Sequence, residues 1–361
     1  MKLLLVVAAV LGFILFSQFA HADRVDKYVR DEMEKRQIPG VALAIIRNGQ
    51  ATKTAAYGFA NLELKSPAKP ETVFEIGSVT KQFTAACILL LEQDGKLSVD
   101  DKISQHFPEI PTAWTNITLR HLLNHTSGIK SYTGLDGFEL TKHLSQEQFI
   151  KALWELPLEF APGEQWKYCN SGYSLLGYIV ENVSGKNYWD FLGKRIFGPL
   201  GMAASTNRQP GIIIPNRADG YEKKKNGEII NRDYDLTDVF AAGAIVSTAG
   251  DLAKWNAALD SNKLLNAQIK SQMWTSGKLN SGKAHGYGFG WRVEPYQDHK
   301  NIGHSGSTSG FSASLQRFPD DKLCVILLCN SGEENVATFL AKTIATFYFQ
   351  EESALRNKAH R

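Results

Sequence analysis

The chain has 361 residues, 43% of them hydrophobic, and its 40 basic side chains nearly balance 37 acidic ones for a formal charge of +3. So even a balance argues against a nucleic-acid carrier, and the ordinary apolar fraction argues against a disordered or repetitive chain. The one dense basic run, Lys223-Lys224-Lys225, is followed by Asn226-Gly227 and reads as a solvated hairpin tip.

In chain order, Met1-Lys2 precedes an almost unbroken apolar run from Leu3 to Phe19, and Ala20-His21-Ala22 then forms a small-x-small site. That order is expected of a secretory signal peptide over residues 1–22, cleaved after Ala22. The competing reading is an uncleaved anchor, although the run is near the lower limit for spanning a bilayer. The mature chain is expected to be exported, periplasmic or secreted, with no stable membrane span. Residues 23–361 are expected to form one catalytic unit.

Val25 to Gln37 has helical spacing. Val41 to Ile46 and Ala51 to Tyr57 flank Asn48-Gly49, a strong short hairpin signal. Val73 to Ile76 leads to Gly77, after which Val79 to Leu91 is apolar at helical spacing until Gly95. His121 to Asn124, Gln146 to Glu155, Gly172 to Val183, Tyr188 to Ile196 and Ala249 to Leu259 read as helices. Phe311 to Phe318 and Lys322 to Cys329 read as strands around Pro319-Asp320-Asp321, followed by a helix from about Glu334 to Gln350. The pattern predicts an α+β fold: an antiparallel sheet flanked by terminal helices (residues 23–76 and 285–361), with a mainly helical region (77–284) inserted. Of four cysteines, Cys324 and Cys329 share a strand at an odd separation. They should face opposite sides of the sheet, roughly 16 Å apart, and not bond each other.

Ser78-Val79-Thr80-Lys81 places a hydroxyl and an amine one turn apart at the start of a helix. A serine is a useful nucleophile only beside a base, and a lysine is a base only when desolvation or nearby positive charge lowers its pKa. Alone, the pair reads more readily as an N-capping serine and a surface lysine. His121-x-x-x-His125 has helical spacing for a metal, but Leu122-Leu123-Asn124 supplies no glutamate base and no third ligand is evident. No Gly-x-Ser-x-Gly elbow is present. Nothing in the pattern calls for a cofactor.

Two further elements follow in order: Tyr168-Cys169-Asn170 after Pro162-Gly163, and His304-Ser305-Gly306-Ser307. With Leu122 to Gly128, Phe160 to Gly163, Pro199 to Met202 and Tyr287 to Trp291, the chain resembles the serine β-lactamase and penicillin-binding-protein superfamily over about residues 25–345. The resemblance is to the branch that includes class C β-lactamases, D-Ala-D-Ala carboxypeptidases and esterases. It implies a serine hydrolase in which Ser78 attacks a carbonyl, Lys81 takes or relays the proton, and Tyr168 is general base or shuttle. It also implies that Asn170, His304, Ser305 and Gly306 bind substrate, with an oxyanion hole formed by the backbone N–H groups of Ser78 and Ser307.

The substrate class is an ester, amide, peptide or β-lactam carbonyl, with no nucleic-acid partner. An acyltransferase using the same acyl-enzyme, or a penicillin-binding sensor that does not turn over, is the alternative. The typical β-lactamase carries lysine where this chain has His304. The histidine points toward carboxypeptidase or esterase chemistry rather than efficient β-lactam hydrolysis. As a cation only below a pKa near ~6.5, it is expected to bind substrate carboxylates conditionally. Tyr132, Trp166, Tyr173, Tyr287, Trp291 and Phe311 flank these motifs, mostly as core, with two or three free to line an acyl pocket.

Overall fold

A computed structural model describes residues 24–107, 109–135, 144–209, 211–232 and 234–359. The expected leader, residues 1–22 with its cleavage site, lies outside the described residues.

Residues 24–36 form α1. The hairpin β1 (Gly40–Arg47) and β2 (Gln50–Asn61) turns at Asn48 and Gly49, both at positive φ, as the Asn-Gly pair predicts. The short β3 (Ser66–Pro67) and β4 (Phe74–Glu75) lead to a tight turn at Gly77–Val79 and to α2 (Thr80–Gln93). Next come α3 (Leu119–Leu123), α4 (Gln146–Trp154), α5 (Asn170–Ser184), α6 (Tyr188–Leu192) and α7 (Gly198–Leu200). They are followed by β5 (Thr206–Asn207), the hairpin β6 (Tyr221–Lys223) and β7 (Ile229–Asn231), and β8 (Ile245–Ser247). Helices α8 (Ala249–Leu259) and α9 (Ala267–Met273) precede β9 (Arg292–Val293), β10 (Ile302–Thr308), β11 (Phe311–Phe318) and β12 (Leu323–Cys329). Helix α10 (Val336–Ala359) ends the described chain.

The main sheet is antiparallel in the order β3-β2-β1-β12-β11-β10-β9, so β1, from the chain's start, pairs directly with β12, from its end. Both faces of these central strands are buried, which is why they read as continuous apolar runs rather than alternating ones. Val41, Leu43 and Ile45, with Val325, Leu327 and Cys329, pack under α1 and α10 through Val25, Val29, Leu340 and Ile344. The alternate residues Ala42, Ala44, Ile46, Cys324, Ile326 and Leu328 face the helical region, with α8 against β1 and β12. Cys324 and Cys329 thus lie on opposite faces, and all four cysteines are free and buried. The result is the α+β arrangement the sequence predicts.

Some elements have no simple sequence signal. Helix α9 follows a turn that Asn266 caps by accepting the Ile269 N–H. The segment Tyr188 to Ile196 is not one α-helix: α6 passes into a π-turn over Gly193–Phe197. Helix α2 is buried from Thr80 to Leu91 on every side, so it is the central helix of the helical region and has no solvent face.

Leu327 is fully buried under α1 and α10, on the sheet face away from α2. Leu327→Ala should cost about 2–5 kcal/mol in urea denaturation, while Leu64→Ala, at a position 79% exposed, should stay within about 0.5 kcal/mol. Equal midpoints for the two variants would contradict this layering.

Candidate active site

Burial of α2 on every side from Thr80 to Leu91 places Lys81 in the interior, 0% exposed. Its Nζ lies 3.0 Å from Ser78 Oγ, 2.7 Å from Asn170 Oδ1 and 2.7 Å from the Ala242 carbonyl. None of these partners is a carboxylate. Burial therefore drives the Lys81 pKa well below the ordinary lysine range. A neutral amine satisfies this geometry by donating to Asn170 and Ala242 and turning its lone pair to the Ser78 hydroxyl.

Ser78 sits in the tight turn before α2 and does not cap that helix through its side chain. The turn lies directly against β10. A Cβ on Gly77, whose φ is +49°, would stand 2.7 Å from the Ser307 nitrogen. One on Gly306 would stand 1.9 Å from the Ile76 carbonyl oxygen and 3.0 Å from the Ser78 nitrogen. Neither position has room for a side chain, so the 76–78 turn and residues 306–307 of β10 pack backbone against backbone.

Asn170 opens α5 and is held from two sides. Its N–H donates to Ser131 Oγ at 3.1 Å and its Nδ2 to Thr133 Oγ1 at 3.1 Å, which leaves Oδ1 aimed at Lys81. The Ala242 carbonyl is presented by a strained loop in which Phe240 has φ 44° and ψ −133°. Thr84, one turn beyond Lys81, donates to the Ala241 carbonyl at 2.6 Å and ties that loop to α2. Gly177 on α5 makes room for it, since a Cβ there would come within 2.5 Å of both Phe240 and Ala241.

The Tyr168 ring lies beside Lys81, with Nζ 4.8 Å from its centroid. Its hydroxyl is shut from solvent without a partner at hydrogen-bonding geometry. Burial raises its pKa, and Ser78, its polar neighbour, only partly offsets this, so it is a neutral phenol. His125, at φ +63°, accepts the Cys169 N–H on Nδ1 at 3.1 Å and so supports the Tyr168-Cys169-Asn170 segment. Its ring packs among Tyr168 (4.3 Å), Tyr287 (4.6 Å) and Tyr173 (5.1 Å). His121 instead closes a capping box with Thr118. The two histidines serve separate local structures. Burial pushes the Cys169 thiol up to about 11.

His304 differs from the sequence expectation. It is only 2% exposed, with Nδ1 2.5 Å from the Ser305 carbonyl and Nε2 2.8 Å from the Tyr287 hydroxyl. Burial first, then the charge of Lys81, lowers its pKa to about 3. A conditional cation titrating near neutrality is therefore corrected to a neutral imidazole, because both nitrogens already have protein partners in a dry site. A cleft of about 880 Å³ opens in front of Ser78, lined by Asn170, Thr133, Gly243, Ser307 and Thr308, with Glu222, Arg232, Tyr234 and Asp235 on its outer wall. Ser78, Asn170 and Ser307 line it, while Lys81 reaches Ser78 and Asn170 from the interior with the Tyr168 ring beside it. His304, Ser305 and Gly306 belong to β10 but do not line it.

The flanking aromatics are core. Tyr132, Tyr173, Tyr287, Trp291 and Phe311 are buried, Trp166 is half-buried, and none lines the cleft. Sequence reasoning missed Ser131 and Thr133, which are ordinary loop hydroxyls by spacing. It also missed the Ala242 carbonyl, which no side chain announces. Tyr287 stands in a stretch that resembles the superfamily, yet its hydroxyl contact with His304 is visible only in three dimensions.

Residues 25–346 match the family model described as Beta-lactamase. The chain is 32% identical over 321 residues to penicillin-binding protein 4* of Bacillus subtilis, covering 83% of this chain and 70% of that one. It is 29% identical over 323 residues to the protein flp of Staphylococcus aureus, covering 87% of this chain and 64% of the relative, so it spans about two thirds of these relatives' length. The solved D-amino acid amidase of Ochrobactrum anthropi SV3, in complex with L-phenylalanine, superposes with a TM-score of 0.79 at 25% identity, over 93% of this chain and 99% of that one. The family match over most of the chain, on a fold shared with these proteins, establishes that this chain belongs to the beta-lactamase family of serine hydrolases and penicillin-binding proteins.

Proposed function

We propose that the protein is a serine hydrolase that cleaves esters or amides through an acyl-enzyme on Ser78. The observation that carries this reading is the buried Lys81 amine, 3.0 Å from Ser78 Oγ and without a carboxylate partner. As the Ser78 oxygen attacks the carbonyl, its proton passes to Lys81 Nζ, and the carbonyl oxygen gains negative charge. The backbone N–H groups of Ser78 and Ser307 are the proposed donors to that oxygen. Collapse breaks the bond to the leaving group, which takes a proton relayed through the Tyr168 hydroxyl. A neutral phenol suits a relay better than a free base, because burial opposes its ionisation. Water then attacks the Ser78 ester by the reverse proton path. Asn170 holds Lys81 in register and presents its amide at the cleft wall.

The neighbouring D-amino acid amidase, solved with L-phenylalanine and with L-phenylalanine amide, supports amino acid amides as one class to test. The apolar leader supports action outside the cytoplasm. Among the described residues no helix is long and apolar enough to cross a membrane.

Ser78→Ala should abolish the covalent adduct formed with nitrophenyl esters or a β-lactam, read by intact-protein mass. Lys81→Ala should slow acylation by about 10²–10⁴-fold. A labelled Ser78→Ala variant would reject the nucleophile. Continued turnover in buffer after the burst supports hydrolysis; acceptor-dependent turnover or a single stoichiometric burst would replace it with acyl transfer or stalled binding.

Lys81 must be neutral to act, so kcat/KM for an uncharged ester should fall as pH drops through its lowered pKa. Asn170→Asp places a carboxylate beside Nζ, which favours the ammonium and should move this acid limb upward by about one to three pH units. A limb that stays in place would remove Lys81 from the proton path.

A further inference from the structure

Both ring nitrogens of His304 are occupied. The Ser305 carbonyl can only accept, so Nδ1 carries the proton and donates to it at 2.5 Å. Nε2 is then the lone-pair nitrogen, and the Tyr287 hydroxyl donates to it at 2.8 Å. The groups facing the ring are Lys81 from α2, His125, Tyr168 and Tyr287 from the loops packed on it, and Arg292 from β9. Arg292 is a cation that opposes a second positive charge, and Lys81 would oppose one in the same way whenever it is protonated. Arg292 is exposed over the Trp166 ring, 5.9 Å from its centroid, and is not among the residues lining the cleft.

The outer wall tells the same way. Among the described lining residues the one cation in contact with the open cleft is Arg232, which donates to Glu222 at 2.7 Å and to the Tyr234 hydroxyl. Glu222 and Asp235 give that wall two carboxylates against one guanidinium. Strand β10, where a lysine in the typical β-lactamase motif would supply a cation, here supplies a capped neutral imidazole.

We propose that Tyr287 is a positioning residue that holds His304 uncharged, so that the site selects acyl donors whose leaving group carries no carboxylate. This rests on the acyl-enzyme reading above and names the substrate class within it. An amide or neutral ester enters a wall of formal charge near neutral or negative without penalty. Among the described lining residues, a leaving group ending in a free carboxylate meets carboxylates and finds no unengaged cation.

The test uses one acyl group on two thiols, mercaptoacetate and its methyl ester, with thiol release as the readout on the whole chain. In each case the acyl–sulfur bond breaks, the acyl–Oγ bond forms, and the Ser78 proton goes to the departing sulfur. The methyl ester should be preferred by about tenfold or more in kcat/KM, with a ratio constant from pH 5 to 8. A preference for the carboxylate substrate, or one that grows as pH falls through 6.5, overturns the proposal. ¹⁵N NMR of the His304 ring gives a readout independent of turnover: Nδ1 should stay protonated and Nε2 unprotonated throughout that range. Titration within it overturns the proposal. Tyr287→Phe should move the Nε2 resonance at pH 7 by removing its donor, and an unmoved resonance eliminates Tyr287 as the cap. Ser78→Ala separates the two readings: if it still turns over both thioesters, the acyl-enzyme reading fails, while the state of the His304 ring is decided by the NMR alone.

Discussion

The site depends on one constraint, an amine buried without a counter-ion. A lysine in water is protonated and useless as a base at neutral pH. Lys81 is held among neutral acceptors by α2, which has no face toward solvent, and an isolated ammonium is costly there. Each neighbour preserves that condition. Asn170 accepts without charge, the Ala242 carbonyl is a dipole, Tyr168 and Tyr173 present ring faces, and His304 is neutral. The strain at Phe240 is part of the same arrangement, because it turns the 241–242 carbonyls onto α2.

The second requirement is distance. The turn that carries Ser78 comes from the first quarter of the chain and β10 from the last, yet their backbones touch at Gly77 and Gly306. The pairing of β1 with β12 brings both ends into one sheet, and β10 is then two strands from β12. Thr308 Oγ1 donates to the buried Glu75 carboxylate at 2.6 Å, which fastens the two segments just beyond the contact. Without that closure the Ser78 and Ser307 backbones would lie in separate parts of the fold.

Much of this was legible in the residue order, for physical reasons that act locally. Helical spacing places Lys81 one turn from Ser78 wherever the helix lies, and the Asn48-Gly49 turn can close a hairpin before any tertiary contact forms. The fully apolar runs of β1 and β12 announce burial on both faces. What was not legible depends on long-range partners. His304 reads as a titrating histidine until the Ser305 carbonyl and Tyr287 are seen on its two nitrogens. Ser131 and Thr133 acquire their purpose only once residues 131–133 lie against Asn170.

The sequence by itself determined the order of most elements, the one-turn spacing of Ser78 and Lys81 and the superfamily resemblance, because these follow from periodicity, short-range spacing and motif order. Tertiary structure alone decided the charge states. Whether Lys81 is a base, whether Tyr168 is a phenol and whether His304 is a cation are questions of desolvation and hydrogen-bond partners. Those partners lie from one to more than one hundred and fifty residues away in the chain, and no local pattern records the dielectric they create together.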